Sequence, residues 1–169
     1  FDVKIELSHF DEKIRKRVML YKKAVYINDD GVEFYDYGKA SSTVIKNKGS
    51  AKGLGRYELQ ESYRVESVDF VKYLENFPKD EYELYIQMNV EGAEFCILDK
   101  MLETEIFNNL DIRQFYIDYH TNFEGREEEL KNKVKEHKKL MMKYFAAFDL
   151  RPKSGNPEDF YFSDPIAQG

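Results

Sequence analysis

Short runs in which apolar and polar residues alternate recur along the chain, and this period of two predicts β-strands with one buried face. In the first run, Val3, Ile5 and Leu7 fall on one side. The turn-forming residues Asn28–Gly31 separate two further runs, so we expect a hairpin there. The predicted strands are, in chain order, Phe1–Leu7, Tyr21–Ile27, Val32–Tyr35, Tyr82–Val90, Arg113–His120, Phe145–Arg151 and Asp159–Ser163.

Helical periodicity lies between the strands. Ser67 is a suitable N-cap for a helix that carries Val71 and Leu74, and Pro78 prevents its continuation. The other predicted helices are Asp11–Arg17, Ala93–Glu103 with Phe95, Leu98 and Leu102 on one face, and Arg126–Phe145 with Leu130, Val134, Met141 and Phe145 as its buried stripe.

Strands that alternate with helices predict βα units, which right-handed crossovers assemble into a mainly parallel sheet. The fold class expected is therefore α/β with three layers. Two strands close the chain with no helix between them, which favours an antiparallel edge. We expect one domain over residues 1–165 and a tail at 166–169, with Lys39–Gly55 as a mobile loop over a site.

Composition narrows the function classes. The net charge of −6 and the lack of a basic stripe disfavour a nucleic-acid partner. No apolar run is long enough to cross a bilayer, so no membrane contact is expected within this chain. Cys96 is the single cysteine, which excludes an internal disulfide and favours a reducing, cytoplasmic compartment. His9 and His137 have no partners at metal-ligand spacing and are expected at the surface.

The segment Tyr85–Glu94 carries the most chemistry, because an apolar strand ends in polar residues just before a helix begins. Ligands of open α/β sheets bind at such strand ends. Glu91 and Glu94 are three residues apart, so we expect their carboxylates side by side in the first helical turn. Acidic residues also cap helix N-termini, and spacing alone favours capping over catalysis.

A second polar pair follows the next predicted strand. Alternation places Tyr116, Asp118 and His120 on one face and buries Ile117 on the other. Histidine is the natural proton acceptor near neutral pH. An aspartate two residues before a histidine is a weak signal by itself, and an ordinary hydrogen-bonded strand-end histidine is the alternative.

Taken together, these segments resemble the signature of the FkbM family of S-adenosylmethionine-dependent methyltransferases. That family shows a strand ending in Lys-Met-Asp, then Val/Ile-Glu-Gly-Ala-Glu, then an acid-x-His at the next strand. Nearly the whole chain takes part in the resemblance, and Val90–Glu94 is its most specific block. The further matching segments are Lys23–Phe34, Ser41-Ser42, Ser67-Val68-Asp69 and Gly155–Tyr161.

The resemblance implies a Rossmann-like class I methyltransferase fold that uses S-adenosylmethionine to methylate a hydroxyl of a sugar, a glycan or a secondary metabolite. It implies His120 as the base, oriented by Asp118, with Glu91 and Glu94 positioning the acceptor hydroxyls. Cofactor contacts would come from Glu6 on the ribose hydroxyls and from Ser41, Ser42 and Asn89. An exposed strand residue is the alternative for Glu6, and ordinary loop serines are the alternative for Ser41 and Ser42.

Two departures from the family pattern leave another function class open. The glycine-rich loop and the first strand are not found, so we expect the missing N-terminal segment upstream or in another chain. Asn89 replaces the family's aspartate, so no metal is assigned. Both departures favour the alternative of a non-catalytic, methyltransferase-like binding or assembly module. An RNA methyltransferase is disfavoured by the absence of a basic stripe.

Overall fold

A computed structural model describes residues 11–38, 43–48, 58–149 and 160–165 of the chain. Within them the chain order of helices and strands is α1 (Glu12–Arg15), β1 (Ala24–Tyr26), β2 (Val32–Asp36), β3 (Glu61–Val65), β4 (Ser67–Asp69), α2 (Phe70–Leu74), β5 (Glu83–Met88), α3 (Glu94–Glu103), a 3-10 helix (Ile106–Asn109), β6 (Asp111–Ile117), α4 (Glu127–Met141), β7 (Phe145–Asp149) and β8 (Phe160–Pro165).

The largest sheet has four strands in the order β5-β6-β8-β7. The β5 and β6 strands are parallel, as the α3 crossover between them requires. The β8 strand lies antiparallel to both β6 and β7, so the expected antiparallel edge is confirmed. Burial alternates along β5, where Leu84 and Ile86 are half-buried and Tyr85 and Gln87 are exposed.

The expected hairpin around Asn28–Gly31 is wrong. The β1 strand pairs in parallel with β4, and β2 pairs antiparallel with β3. The turn itself forms, with Gly31 at a φ of 87°. Its backbone N–H donates to the Ser67 hydroxyl (2.9 Å), which in turn donates to the Asn28 carbonyl (2.6 Å). The turn is therefore fastened to β4 instead of closing a two-stranded ribbon.

Ser67 is accordingly a strand residue, and its predicted role as a helix cap is wrong. Asp69 caps α2, because its carboxylate accepts a hydrogen bond from the Lys72 backbone N–H at 3.4 Å. The predicted strands over Tyr82–Val90 and Arg113–His120, and the predicted helix over Ala93–Glu103, are confirmed with boundaries shifted by a few residues. Phe145 begins β7 instead of ending α4.

One apolar core joins α3, α4 and the inner face of the large sheet. Ile97, Leu98 and Met101 of α3 are completely buried, and Phe115 and Ile117 of β6 lie in the same cluster. The described residues thus form a mixed α/β structure with two parallel strand pairs, and the described strands close no barrel.

Candidate functional site

The parallel pairing of β5 and β6 brings the two polar segments together. Met88 pairs with Ile117, so both strands end at the same level, and the Asp118 N–H donates to the Met88 carbonyl at 2.9 Å. One residue further on, the Asn89 side-chain amide donates to the Asp118 carboxylate at 3.3 Å. The residues directly after β5 and β6 therefore lie next to each other at the carboxyl end of the sheet.

Glu94, the first residue of α3, is the buried carboxylate that links the two segments. Its side chain is completely buried. One carboxylate oxygen accepts from the Gly92 N–H at 2.8 Å, and the other accepts from the His120 N–H at 2.7 Å. A buried carboxylate needs such donors, since leaving it unpaired in the interior would cost several kcal/mol. Glu94 thereby joins the turn after β5 to the segment after β6.

The His120 ring lies between two carboxylates. Its Nδ1 is 3.3 Å from Glu94 Oε1, and its Nε2 is 3.5 Å from Glu91 Oε1. The His120 side chain keeps 21% of its surface exposed, whereas Glu94 is at 0% and Glu91 at 33%. The buried Glu94 therefore holds the ring on its interior side, and solvent or a ligand reaches the ring on the side of Glu91.

These surroundings raise the pKa of His120 above its ordinary value of 6.5. Burial is the largest single influence and favours the neutral ring. The hydrogen bond to Glu94 and the negative charges of Glu94, Glu91 and Asp118 favour the imidazolium, and together they outweigh burial. The ring therefore takes up a proton more readily than an ordinary histidine side chain does.

The spacing predicted that Glu91 lies in the first turn of α3. Glu91 instead precedes the helix, which begins at Glu94. It has left-handed backbone with a φ of 48°, followed by Gly92 at 101°. Non-glycine residues seldom adopt this conformation, and they do so where surrounding contacts impose it. Here those contacts come from residues 43–48: Thr43 Oγ1 and the Val44 N–H donate to the Glu91 carbonyl.

Lys48 holds the Glu91 side chain. Its Nζ is 2.8 Å from Glu91 Oε2, and its own side chain is only 13% exposed. The close approach of residues 43–48 depends on Gly92, because a Cβ there would lie 3.0 Å from the Ile45 side chain. Sequence reasoning missed both Thr43 and Lys48, since they are more than forty residues away along the chain and belong to no motif.

The orientation of His120 by Asp118, implied by the resemblance, differs from the geometry found. Glu94 and Glu91 contact the ring nitrogens, while Asp118 acts on the ring through its charge and binds Asn89. The reason is that β6 ends at Ile117, so the two-residue alternation of a strand no longer applies at Asp118 and His120. The predicted cofactor residues Glu6, Ser41 and Ser42 lie outside the described residues.

The expectation of a surface position for His137 is wrong. His137 is completely buried within α4, with Nδ1 2.9 Å from the Tyr119 hydroxyl and Nε2 2.8 Å from Asp99 Oδ1. Lys133 completes the group at 2.8 Å from Asp99. This network packs directly behind the candidate site, because Tyr119 precedes His120 and its ring packs on Phe95.

Other chemistry is limited in the part of the chain that the structure describes. There, no group of three or more His, Cys, Asp or Glu side chains is arranged to hold a metal ion. Burial raises the pKa of the Cys96 thiol to about 11, which makes a thiolate nucleophile at neutral pH unfavourable. None of the described helices combines the length and apolar character needed to cross a bilayer.

Comparisons with models of known protein families, with curated proteins and with solved structures found no match to this chain.

Proposed function

We propose that this chain is part of a Rossmann-like, S-adenosylmethionine-dependent O-methyltransferase whose acceptor is a hydroxyl of a sugar, a glycan or a secondary metabolite. The observation that carries the proposal is the position of His120. It stands at the carboxyl end of a parallel strand pair, partly exposed, with one carboxylate at each ring nitrogen. A hydroxyl that is to become a nucleophile needs a base placed in this manner.

The two carboxylates divide the ring nitrogens between them. Glu94 accepts hydrogen bonds and is fully buried, so the network assigns the proton of the neutral ring to Nδ1. Nε2 is then the proton acceptor, on the side of the partly exposed Glu91. When Nε2 takes the hydroxyl proton, the imidazolium lies between two negative charges, which is the stabilisation that an acid–base triad provides.

S-adenosylmethionine, when bound, would supply the methyl group, activated by its sulfonium sulfur, and would leave as S-adenosylhomocysteine. Within the described part of the chain, Asn89 fits a contact to such a ligand, because it is exposed and follows β5 directly. One of its N–H groups is engaged with Asp118, which fixes the amide. The task of the chain is to orient the acceptor and remove its proton.

Glu94 is a positioning residue in this proposal, since its oxygens already serve Gly92 and His120. Glu91 is the carboxylate available to an acceptor hydroxyl. Its side chain is 33% exposed and lies next to Nε2 of His120. The Rossmann-like assignment draws support from the mixed α/β structure, the parallel β5–β6 pair joined through α3, and the antiparallel strands beyond β6.

The first experiment is calorimetric titration of S-adenosylhomocysteine into the native full-length polypeptide, followed by methyl transfer to a panel of glycosides. We expect binding, and we expect His120→Ala to leave binding unchanged while lowering turnover at least about 100-fold, as for loss of a general base. Turnover should rise with pH through the raised pKa of His120, because the neutral ring is the active form.

Glu91→Gln and Glu128→Gln form a matched pair for this experiment. Both remove one exposed or partly exposed carboxylate, but only Glu91 touches His120. Glu91→Gln should lower turnover and shift the pH profile to lower pH, whereas Glu128→Gln should change neither. Unchanged turnover in His120→Ala would refute the assigned base.

A second candidate, a non-catalytic binding or assembly module, is favoured by one observation. Asn89 donates to Asp118 where the family carries an aspartate, so this pair is a structural hydrogen bond without a second negative charge. Failure of the native polypeptide to bind S-adenosylhomocysteine would reject the cofactor assignment and favour the module.

A further inference from the structure

A cavity opens on a different face of α3 from Glu94. It has a volume of about 410 Å³, which is within the range of small-molecule sites. Phe95, Cys96 and Asp99 of α3 line it, at positions that helical geometry directs away from Glu94. The cavity borders the His120 site at Gly92 and Val44, but neither His120, Glu91, Glu94 nor Asn89 lines it.

The walls of the cavity are aromatic and aliphatic. The rings of Tyr26, Tyr35 and Phe95 and the side chains of Ile45 and Leu130 contribute to its lining. Phe95 and Leu130 are buried in the core, and Phe95 packs on Tyr119, so this part of the wall is fixed before any ligand arrives. Such walls favour a flat apolar body.

The charges of the cavity do not cancel. Asp99 is neutralised by Lys133 at 2.8 Å. Glu129 is neutralised by a two-pronged contact with Arg126, at 2.6 and 3.0 Å. Lys46, whose side chain is exposed, also lines the cavity, and it forms no ion pair with a carboxylate of the described residues. The cavity therefore has a surplus positive charge in a chain whose net charge is −6.

We infer that this cavity binds a small molecule with a flat apolar body and a single anionic group, the body against Tyr26, Tyr35 and Phe95 and the anion at Lys46. A cationic ligand would meet Lys46 with like charge. A neutral ligand would gain from the rings but not from Lys46. A monoanion gains from both, without competing for the two neutralised carboxylates.

The inference goes beyond the proposed function, because the site uses neither His120 nor Asn89. Ligand binding in the cavity would nevertheless affect the position of Glu91. Val44, Ile45 and Lys46 line the cavity, and the same segment holds Glu91 through Thr43 and Lys48. A ligand that displaced the segment would move the carboxylate next to His120.

The test uses three probes of nearly equal size that differ in charge: benzoate, benzyl alcohol and benzylamine. Each is titrated into the full chain, and backbone amide chemical shifts are followed by NMR at low salt. We expect benzoate to bind about fivefold more tightly than benzyl alcohol, as for one exposed ion pair. The largest shifts should fall on Ile45, Gly92 and Cys96, and benzylamine should bind most weakly.

Two pairs of variants locate the contacts. Lys46→Ala should remove the preference for benzoate, whereas Lys139→Ala, an exposed lysine of α4 outside the cavity, should keep it. Tyr35→Leu should weaken all three probes, whereas Tyr85→Leu, whose ring is 63% exposed on β5, should not. Equal affinity for benzoate and benzyl alcohol, or shifts that spare Ile45, Gly92 and Cys96, would overturn the inference.

Discussion

At the residue scale, the behaviour of His120 follows from two carboxylates of unequal exposure. Glu94 is fully buried and binds the backbone N–H groups of Gly92 and His120 as well as the ring. Glu91 is partly exposed and is held by Lys48. The spacing of the two glutamates presented helix capping and site chemistry as alternatives. No side-chain hydrogen bond caps α3. Glu94 instead accepts from the Gly92 N–H in the turn before α3 and orients the His120 ring.

This arrangement makes folding stability depend on pH. Because the folded pKa of His120 is raised, its stabilising contribution is fully present below the unfolded value of about 6.5 and is lost as the pH rises through the folded pKa. The free energy of unfolding of the native chain minus that of His120→Gln should therefore fall over the range that begins near pH 6.5 and extends upward through the folded pKa of His120. Urea denaturation across this range measures it.

The control for this experiment is Lys139→Gln, which removes an exposed positive charge on α4 and should leave the pH dependence of the native chain unchanged. A pH-independent difference between the native chain and His120→Gln would show that the two carboxylates do not hold the imidazolium in the folded state.

At the element scale, Lys100 of α3 connects elements that share no continuous sheet. Its ammonium donates to the Ile27 carbonyl at 2.7 Å, just after β1, and to the Asp69 carboxylate at 2.6 Å, at the end of β4. Asp69 is 2% exposed and caps α2, and Asp29 accepts from its backbone N–H. The small β1–β4 sheet and α2 are thus fastened to α3 by one cation.

Lys100→Met should lower the free energy of unfolding by about 2–3 kcal/mol, because it leaves the buried Asp69 carboxylate and the Ile27 carbonyl without this donor. Adding Asp69→Asn to Lys100→Met should cost less than the sum of the two single changes, since the pair acts as a unit. Urea denaturation of the four proteins of this cycle measures the coupling. Strict additivity would mean that the contact does not fasten the two parts.

At the scale of the whole molecule, packing of α3 against the large sheet holds the candidate site in place. The α3 helix presents Ile97, Leu98 and Met101 to the sheet, all completely buried, while its first residue carries Glu94. A second layer of rings continues from Phe107 to Phe115 and Tyr144, at centroid distances of 6.1 and 4.8 Å. Burial of these side chains supplies the main driving force for holding α3 against the sheet.

Met101→Ala should lower the free energy of unfolding by about 2–5 kcal/mol, because it removes buried methylene and sulfur contacts and leaves a cavity. Met142→Ala is the matched control: Met142 is 54% exposed, so its truncation should change stability by less than about 0.5 kcal/mol. Thermal and urea unfolding compare the two. Equal effects of the two truncations would contradict the placement of the core.

Local patterns along the chain were sufficient to locate most of the described helices and strands. Alternation located β5 and β6, helical spacing located α3 and α4, and the strand-to-helix passage at Val90–Glu94 marked the candidate site. These features are local, because side-chain periodicity, capping and turn chemistry depend on neighbours a few residues apart. By itself, then, the sequence determined the types of β5, α3, β6 and α4 and the candidate residues Glu91, Glu94 and His120.

The tertiary structure alone decided which strands pair and which groups contact those residues. Strand pairing depends on long-range backbone hydrogen bonds, so the turn at Asn28–Gly31 did not reveal that β1 would join β4. The contacts of Glu91 with Lys48 and of His137 with Tyr119 and Asp99 cross separate elements. They form because packing α3 against the sheet buries polar groups that must then find partners, and no local pattern encodes which partners are within reach.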